Sequence, residues 1–288
     1  MLIAVEHLGG VGVGITGPQF IRADDGRVYV VKLKSNRLGT KVLSSEFLAA
    51  EIGKIMGLCF PPSDLIAIKR EMLAHSLRLA ELGAGEGLHF ASRYLDAAQY
   101  VSRKNWRTAA NLPEMAGVIL FDHLFHNADR ANNQKNLLLR QENGVYRIYA
   151  IDNSHLFRSG RWTAESLAAL EPKISMYYRY SFGYLLKDSL SAPDFTPYLE
   201  KVTQLADATI DTLVQNIPAE WLSDAAERRA LTHYIKIRRG MAEEICQKLL
   251  RYIPEDRGGR RWLGGKKRGS EQRRDLSSPS GGLQKPAG

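Results

Sequence analysis

The dipeptide Asn143-Gly144 lies between two apolar, β-prone runs, LLLRQE and VYRIYA, a strong short-range signal for a tight antiparallel hairpin. A two-residue turn fixes the register, so position 136 must face position 151. Asn136 then enters the first strand where Asp152 leaves the second, on chains about 5 Å apart. Asp129 stands seven residues before Asn136, in the polar run HNADRANNQKN that feeds the same end of the hairpin. Singly, Asp129, Asn132, Asn133 and Asn136 are ordinary loop residues, because Asn and Asp favour turns. Joined to Asp152 they form a set of hard oxygen ligands, suited to Mg²⁺ rather than zinc.

The chain around this hairpin is 288 residues long, which suggests two moderate units and a sizeable core. Hydrophobic residues make up 44% and charged residues 25%, values that exclude collagen-like, coiled-coil and wholly disordered chains. No apolar run approaches the roughly 20 residues of a membrane span. The opening MLIAVEHLGG lacks the basic start and long apolar stretch of a secretory signal. Cys59 and Cys246 cannot make a disulfide framework and suit a reducing compartment, so a cytoplasmic location is expected. Nine Lys or Arg against four Asp or Glu give residues 255–288 a net +5 of the chain's +9. That Gly- and Ser-rich tail cannot offset its ordering entropy by burial and is expected to be disordered. Its charge would allow weak contact with nucleic acid or an acidic partner.

Residues 1–95 read as a small sheet with one helix. Arg27–Lys34 alternates as a strand, with Val28, Val30, Lys32 and Lys34 on one face and Tyr29, Val31 and Leu33 on the other. Ser44–Met56 carries a helical apolar stripe and Gly57 as its stop. Asp64–Lys69 and Leu88–Leu95 supply further strands. Residues 96–254 read as mainly helical around the embedded hairpin, with helices at 113–125, 197–216 and 223–252. The expected class is α+β: a β-rich lobe, a helical lobe and a tail.

Phosphoryl transfer needs a divalent metal, plus a carboxylate that orients the attacking hydroxyl. The Asp129, Asn136 and Asp152 set meets that requirement. The run FDHLFHNADRANNQKNLLLRQENGVYRIYAIDNSHLF resembles the catalytic loop and metal-binding segment of the HipA-like kinases, bilobed bacterial phosphotransferases. GITGPQFIRADDGRVYVVKLKSNRLGTKVLSSEFLAAEIGKIMGL and GLHFASRYL resemble that family's N-terminal lobe. The resemblance implies a bilobed protein-kinase-like fold that uses ATP and Mg²⁺. It makes Asp129 the catalytic aspartate, Asn136 and Asp152 the Mg²⁺ ligands, and Lys32 the lysine that grips the phosphates, with Glu46 as its ion-pair partner. Ala49, Ala50 and Gly53 follow Glu46 at i+3, i+4 and i+7, giving a small-residue face open to close approach. Glu51, three residues before Lys54, and Lys34, on the same strand face as Lys32, are the competitors. Gly12 and Gly14, in the run from Gly9 to Gly17, could bring backbone amides to phosphates. His89, Phe90 and Ala91 fall where adenine could rest on the backbone. The gap from Asp129 to Asn136 is longer than is general among related kinases, which leaves Asn133 open as an alternative ligand. The sequence opens almost on the kinase lobe, which argues against a toxin role with a DNA-binding partner.

The expected acceptor is a hydroxyl, foremost that of a protein Ser or Thr, then a small molecule or lipid headgroup. A metal-dependent hydrolase is the enzymatic alternative. It would use Asp122, His126 and Asp129 on one helix face if the helix ran on that far. A non-catalytic pseudokinase, binding nucleic acid through the tail, is the other.

Overall fold

The alternating run around Tyr29 and Val31 is one stave of a closed five-stranded barrel. Its strands are β1 (Leu2–Gly10), β2 (Gln19–Ala23), β3 (Val28–Lys32), β4 (Ser63–Ile68) and β5 (Gly87–Arg93), in the order β1-β2-β3-β5-β4. Parallel pairing of Leu2 with Ile66 and Ile3 with Ala67 closes the ring. Tyr29, Val31 and Leu33 point into its core with Ile21, Ile66 and Ile68. Val30 and Lys32 face the other way, towards a cleft.

The computed structural model describes residues 1–178 and 180–254. The expected disordered arm at 255–288, and any nucleic-acid contact through it, lie outside the described residues. The small sheet expected in the first 95 residues is a closed barrel, to which Leu2–Gly10 contributes β1. That strand was hidden because its closing partner lies more than 60 residues away and pairs in parallel. The expectation of one helix in residues 1–95 is corrected: after α1 (Lys41–Met56), the stretch between β4 and β5 adds two short helices, α2 (Arg70–His75) and α3 (Leu77–Glu81), with the Ser76 hydroxyl accepting from Leu79 N–H at the start of the second.

Helix α1 ends at Gly57, whose φ of 72° suits a left-handed cap. Its small-residue face meets close neighbours, β5 among them. A Cβ at Gly53 would lie 2.6 Å from the Phe60 ring.

The larger core lies beyond the barrel. Helix α4 (Met115–Leu124) is buried along its whole length, as a helix apolar on every side must be. A five-residue helix, α5 (Ala128–Asn132), and a 3₁₀ turn at Gln134–Asn136 follow. Next come β7 (Leu137–Glu142) and β8 (Val145–Ala150), which pair antiparallel, with β6 (Gln99–Tyr100) on the far side of β7. Asn143 and Gly144 both have positive φ, 49° and 82°, as a primed hairpin turn requires. Leu137 pairs with Ala150, and Ile151 N–H donates to the Asn136 carbonyl at 3.0 Å. Position 136 therefore faces 151.

Helices α6 (Ala164–Leu170), α7 (Tyr180–Asp188), α8 (Ala192–Thr203), α9 (Asp207–Gln215), α10 (Ala225–Gly240) and α11 (Ala242–Leu250) complete the chain. The single helices expected over 197–216 and 223–252 are each two. Helix α8 starts earlier, at a Ser191–Asp194 capping box, and α10 breaks at Met241. Residues Met1–Pro254 make one compact unit. No helix among the described residues is long and apolar enough to cross a membrane. Cys59 and Cys246 are both buried and free.

Candidate active site

The outward face of β3 and β5, helix α1 and the base of the β7–β8 hairpin enclose a cleft of about 550 Å³, a size typical of small-molecule sites. Lys32 sits on its wall opposite Phe90, its register partner on β5. From there the Lys32 ammonium reaches two carboxylates. It forms an ion pair with Glu46 of α1, and its Nζ lies 2.7 Å from Asp152 Oδ1 beyond the hairpin. Glu46 also accepts from Asn153 N–H at 3.0 Å. One ion network thus ties the barrel, α1 and the chain leaving β8.

Burial disfavours the charged form of Lys32, but Asp152 and Glu46 outweigh it and hold the ammonium above its ordinary range. Burial, opposed by Lys32, leaves the Glu46 carboxyl above its ordinary value. Asp152 goes the other way. Despite burial, Lys32 and the Ser154 hydroxyl and N–H hold its carboxyl far below the usual range. Asp152 is therefore an ionised oxygen donor at any physiological pH. Its backbone is left-handed, with φ of 62°, a conformation that costs a non-glycine residue about 1–2 kcal/mol.

The catalytic-loop candidates converge beside it. Asn136 Nδ2 donates to Asp129 Oδ2 at 2.6 Å, and Asn133 Nδ2 donates to Asn136 Oδ1 at 3.2 Å. The seven-residue gap closes because α5 and the 3₁₀ turn wind it up, at about 1.5–2 Å per residue instead of over 3. Asn136 is buried, whereas Asn133 spends its side-chain oxygen on Lys135 N–H at 3.1 Å. Asn136 keeps an amide oxygen with spare acceptor capacity. With the Asp152 carboxylate, it supplies a donor set whose chemistry fits a hard divalent cation.

The remaining sequence candidates divide. Gly14 lines the cleft in the loop between β1 and β2, and its φ of 95° explains the glycine. Gly12 also has positive φ but does not line the cleft. His89 is turned away from it: its Nδ1 accepts from Lys34 N–H, and burial pushes its pKa down to about 4. Ala91 faces the barrel core. The cleft instead runs along Ser92 to Leu95, further down the strand than the sequence suggested. Lys34 is held by Glu220 at 2.6 Å, and Glu51 by Lys54 at 2.6 Å, so neither competitor enters the cleft.

The hydrolase cluster does not form. Helix α4 ends at Leu124, and His126, with φ of 53°, turns to the Tyr234 hydroxyl and the Lys173 carbonyl. Asp122 is sealed with Arg130. No group of three His, Cys, Asp or Glu among the described residues could hold a metal. Several residues at the site escaped sequence reasoning. His155 Nδ1 lies 3.9 Å from Asp129 Oδ2, Tyr94 packs edge-on against Phe20 at the cleft, and Tyr100 lines its rim. Tyr94 lies within GLHFASRYL and His155 within the run ending DNSHLF, but nothing in the sequence singled either out.

A family model described as HipA-like kinase matches residues 5–248. No curated protein sequence matches the chain. Among solved structures, the fold is similar to the Helicobacter pylori proinflammatory kinase CtkA, with TM-score 0.53 and 15% identity over 85% of this chain and 96% of that one. It is also similar to hydra Fam20, solved with sugar, with TM-score 0.52 and 12% identity over 87% of this chain and 86% of that one.

Proposed function

Because the chain belongs to the HipA-like kinase family, we propose that it is an ATP- and Mg²⁺-dependent kinase that phosphorylates a hydroxyl, foremost a protein Ser or Thr. Residues 1–95 and 96–254 serve as its two lobes, with the nucleotide in the cleft. The observation that carries the reading is Lys32, held between Glu46 and Asp152 on the cleft wall, beside the bonded pair of Asp129 and Asn136.

Lys32 binds and orients the nucleotide phosphates, and Glu46 keeps its ammonium in place. Gly14 offers backbone amide approach from the β1–β2 loop, and Phe90 lines the wall beneath. Asp152 and the Asn136 side-chain oxygen would hold Mg²⁺, which when bound neutralises charge on the phosphate oxygens. Asp129 accepts the proton of the acceptor hydroxyl. That oxygen forms its bond to the γ-phosphorus while the bond from the γ-phosphorus to the bridging oxygen breaks, and ADP leaves with the electron pair. Asn136, by fixing Asp129 Oδ2, leaves the other carboxylate oxygen to face the acceptor.

A thermal melt with ATP and Mg²⁺ tests the binding half of this reading. Ligand at 100 times its dissociation constant adds about 2.7 kcal/mol, a clear rise in Tm. No shift at millimolar nucleotide and metal would overturn it. Incubation with labelled ATP, with and without cell extract, then identifies the acceptor.

A further inference from the structure

Arg130 follows Asp129 in the chain and is fully buried, as is its partner Asp122, with Nη1 to Oδ1 at 2.5 Å. Its other end fans out over the chain beyond the hairpin. Nη2 lies 2.6 Å from Asn153 Oδ1 and 3.3 Å from each of the Ile151 and Asp152 carbonyls. The guanidinium also stands 5.4 Å over the Phe60 ring, which packs on Gly53 of α1. One side chain therefore touches α4, the backbone that presents Asp152, and the ring behind the helix that carries Glu46. Its own backbone adjoins Asp129.

Stability is a poor explanation for this arrangement. A sealed ion pair is often no more stabilising than well-packed apolar residues of the same volume. This one leaves Asp122 Oδ2, Asn127 Oδ1 and Arg130 Nε without protein partners. What an apolar replacement could not do is donate at once to Asp122, to Asn153 and to the backbone carbonyls of residues 151 and 152, as the guanidinium does.

We infer that Arg130, anchored by Asp122, is a positioning residue that sets the distance between the catalytic carboxylate of Asp129 and the metal-binding carboxylate of Asp152. The inference rests on the kinase reading of the same site. Arg130→Lys keeps the charge and can reach Asp122, but a single ammonium cannot also span residues 151–153. Asp122→Asn loosens the anchor from the other side. Asn153→Ala removes one acceptor and leaves the ion pair whole.

The full-length protein is tested with each change. The first readout is Mn²⁺ affinity, by electron paramagnetic resonance, with a non-hydrolysable ATP analogue. The second is turnover of labelled ATP at saturating metal. Arg130→Lys should weaken Mn²⁺ about tenfold and lower kcat at least tenfold, with KM for ATP within threefold of the parent. Asp122→Asn should follow in the same direction, and Asn153→Ala should show a smaller loss of Mn²⁺ affinity. Variants that match the parent in Mn²⁺ affinity and in kcat per folded molecule, whatever their Tm, would overturn the inference. If Arg130→Lys does not fold, Asn153→Ala decides, and unchanged Mn²⁺ affinity there overturns it. A parent protein that binds neither nucleotide nor Mn²⁺ would instead sink the kinase reading.

Discussion

Two ion networks lie close together in this molecule, and they differ in how far water can reach them. Glu46, Lys32 and Asp152 line the cleft, with the Asp152 side chain 31% exposed. Arg130 and Asp122 are both at 0%. The open network has a carboxylate that can exchange its lysine for another cation and be rehydrated on the way. The sealed network has no such freedom, because every charge it carries must be matched by its fixed neighbours. The first suits ligand chemistry; the second suits holding geometry.

Deleting one cation from each network should separate them most sharply. Arg130→Met strands the Asp122 carboxylate in a dry interior and should cost about 3–5 kcal/mol of stability. Lys32→Met should cost less than half of that, since Asp152 can hydrate and Glu46 can take a proton, yet it should abolish the thermal response to Mg²⁺-ATP. Chemical denaturation of the two variants, with and without nucleotide, checks both halves. Equal losses of stability would erase the distinction between open and sealed.

The next effect falls on the chemistry between the networks. Asp129→Asn keeps size and polarity but removes the carboxylate proposed to accept the hydroxyl proton. Transfer should fall by about 10² or more, the scale of a lost general base, while nucleotide binding stays near normal. Phosphoryl transfer from labelled ATP measures the first and a nucleotide melt the second. Undiminished transfer would remove Asp129 from its role.

Much of this site was legible because it rests on local rules. The Asn143-Gly144 turn dictated the 136–151 register, and strand alternation placed Lys32 on the face away from Val31. The small residues after Glu46 marked a face of close approach, here taken up by Phe60. Illegible were the features that depend on non-local closure. The parallel seam between Leu2 and Ile66 leaves no alternation or turn signal, so nothing in the sequence marked β1 as the closing strand. Arg130 read as one more polar loop residue, since its partners Asp122 and Asn153 stand 8 and 23 positions away on different elements. The hydrolase cluster was plausible on helical spacing alone. It failed because α4 stops one residue before Phe125, and the left-handed turn at His126 redirects the chain.

Acid should expose the same contrast. Burial pushes His123 and His89 down to about 4 and His126 to about 3. The unfolded chain takes up those protons near pH 6.5, so their stabilisation is full above that pH and is lost as pH falls towards 4. Each contributes a slope of about 1.4 kcal/mol per pH unit. Burial raises Asp122 of the sealed pair to about 6. Its folded form therefore binds a proton before the unfolded form does and offsets part of that loss below pH 6. Asp152 of the open network is depressed by Lys32, so its stabilisation is present above about pH 3.9 and is lost only below. Urea melts from pH 7 to 4 should show falling stability, and Asp122→Asn should steepen the fall below pH 6. A flat profile would mean that the histidines are not buried in neutral form.

The smallest effect concerns which asparagine would serve the proposed metal. Asn133 and Asn136 both line the cleft, and sequence alone left either possible. Asn136 is buried, bonds Asp129 and faces the hairpin base, whereas Asn133 caps the 3₁₀ turn through Lys135 N–H. Asn133→Ala should therefore cost a cap, about 1 kcal/mol or less, and leave Mg²⁺-dependent nucleotide binding within a few-fold of the parent. Asn136→Ala should weaken that binding clearly and should also loosen Asp129, lowering transfer on both counts. Titration of Mg²⁺ at fixed ATP, followed by the melt, distinguishes them. If Asn133→Ala is the damaging change, the metal sits nearer the 3₁₀ turn than the hairpin. Asp152 would then share it with Asn133, and Asn136 would keep only its task of orienting Asp129.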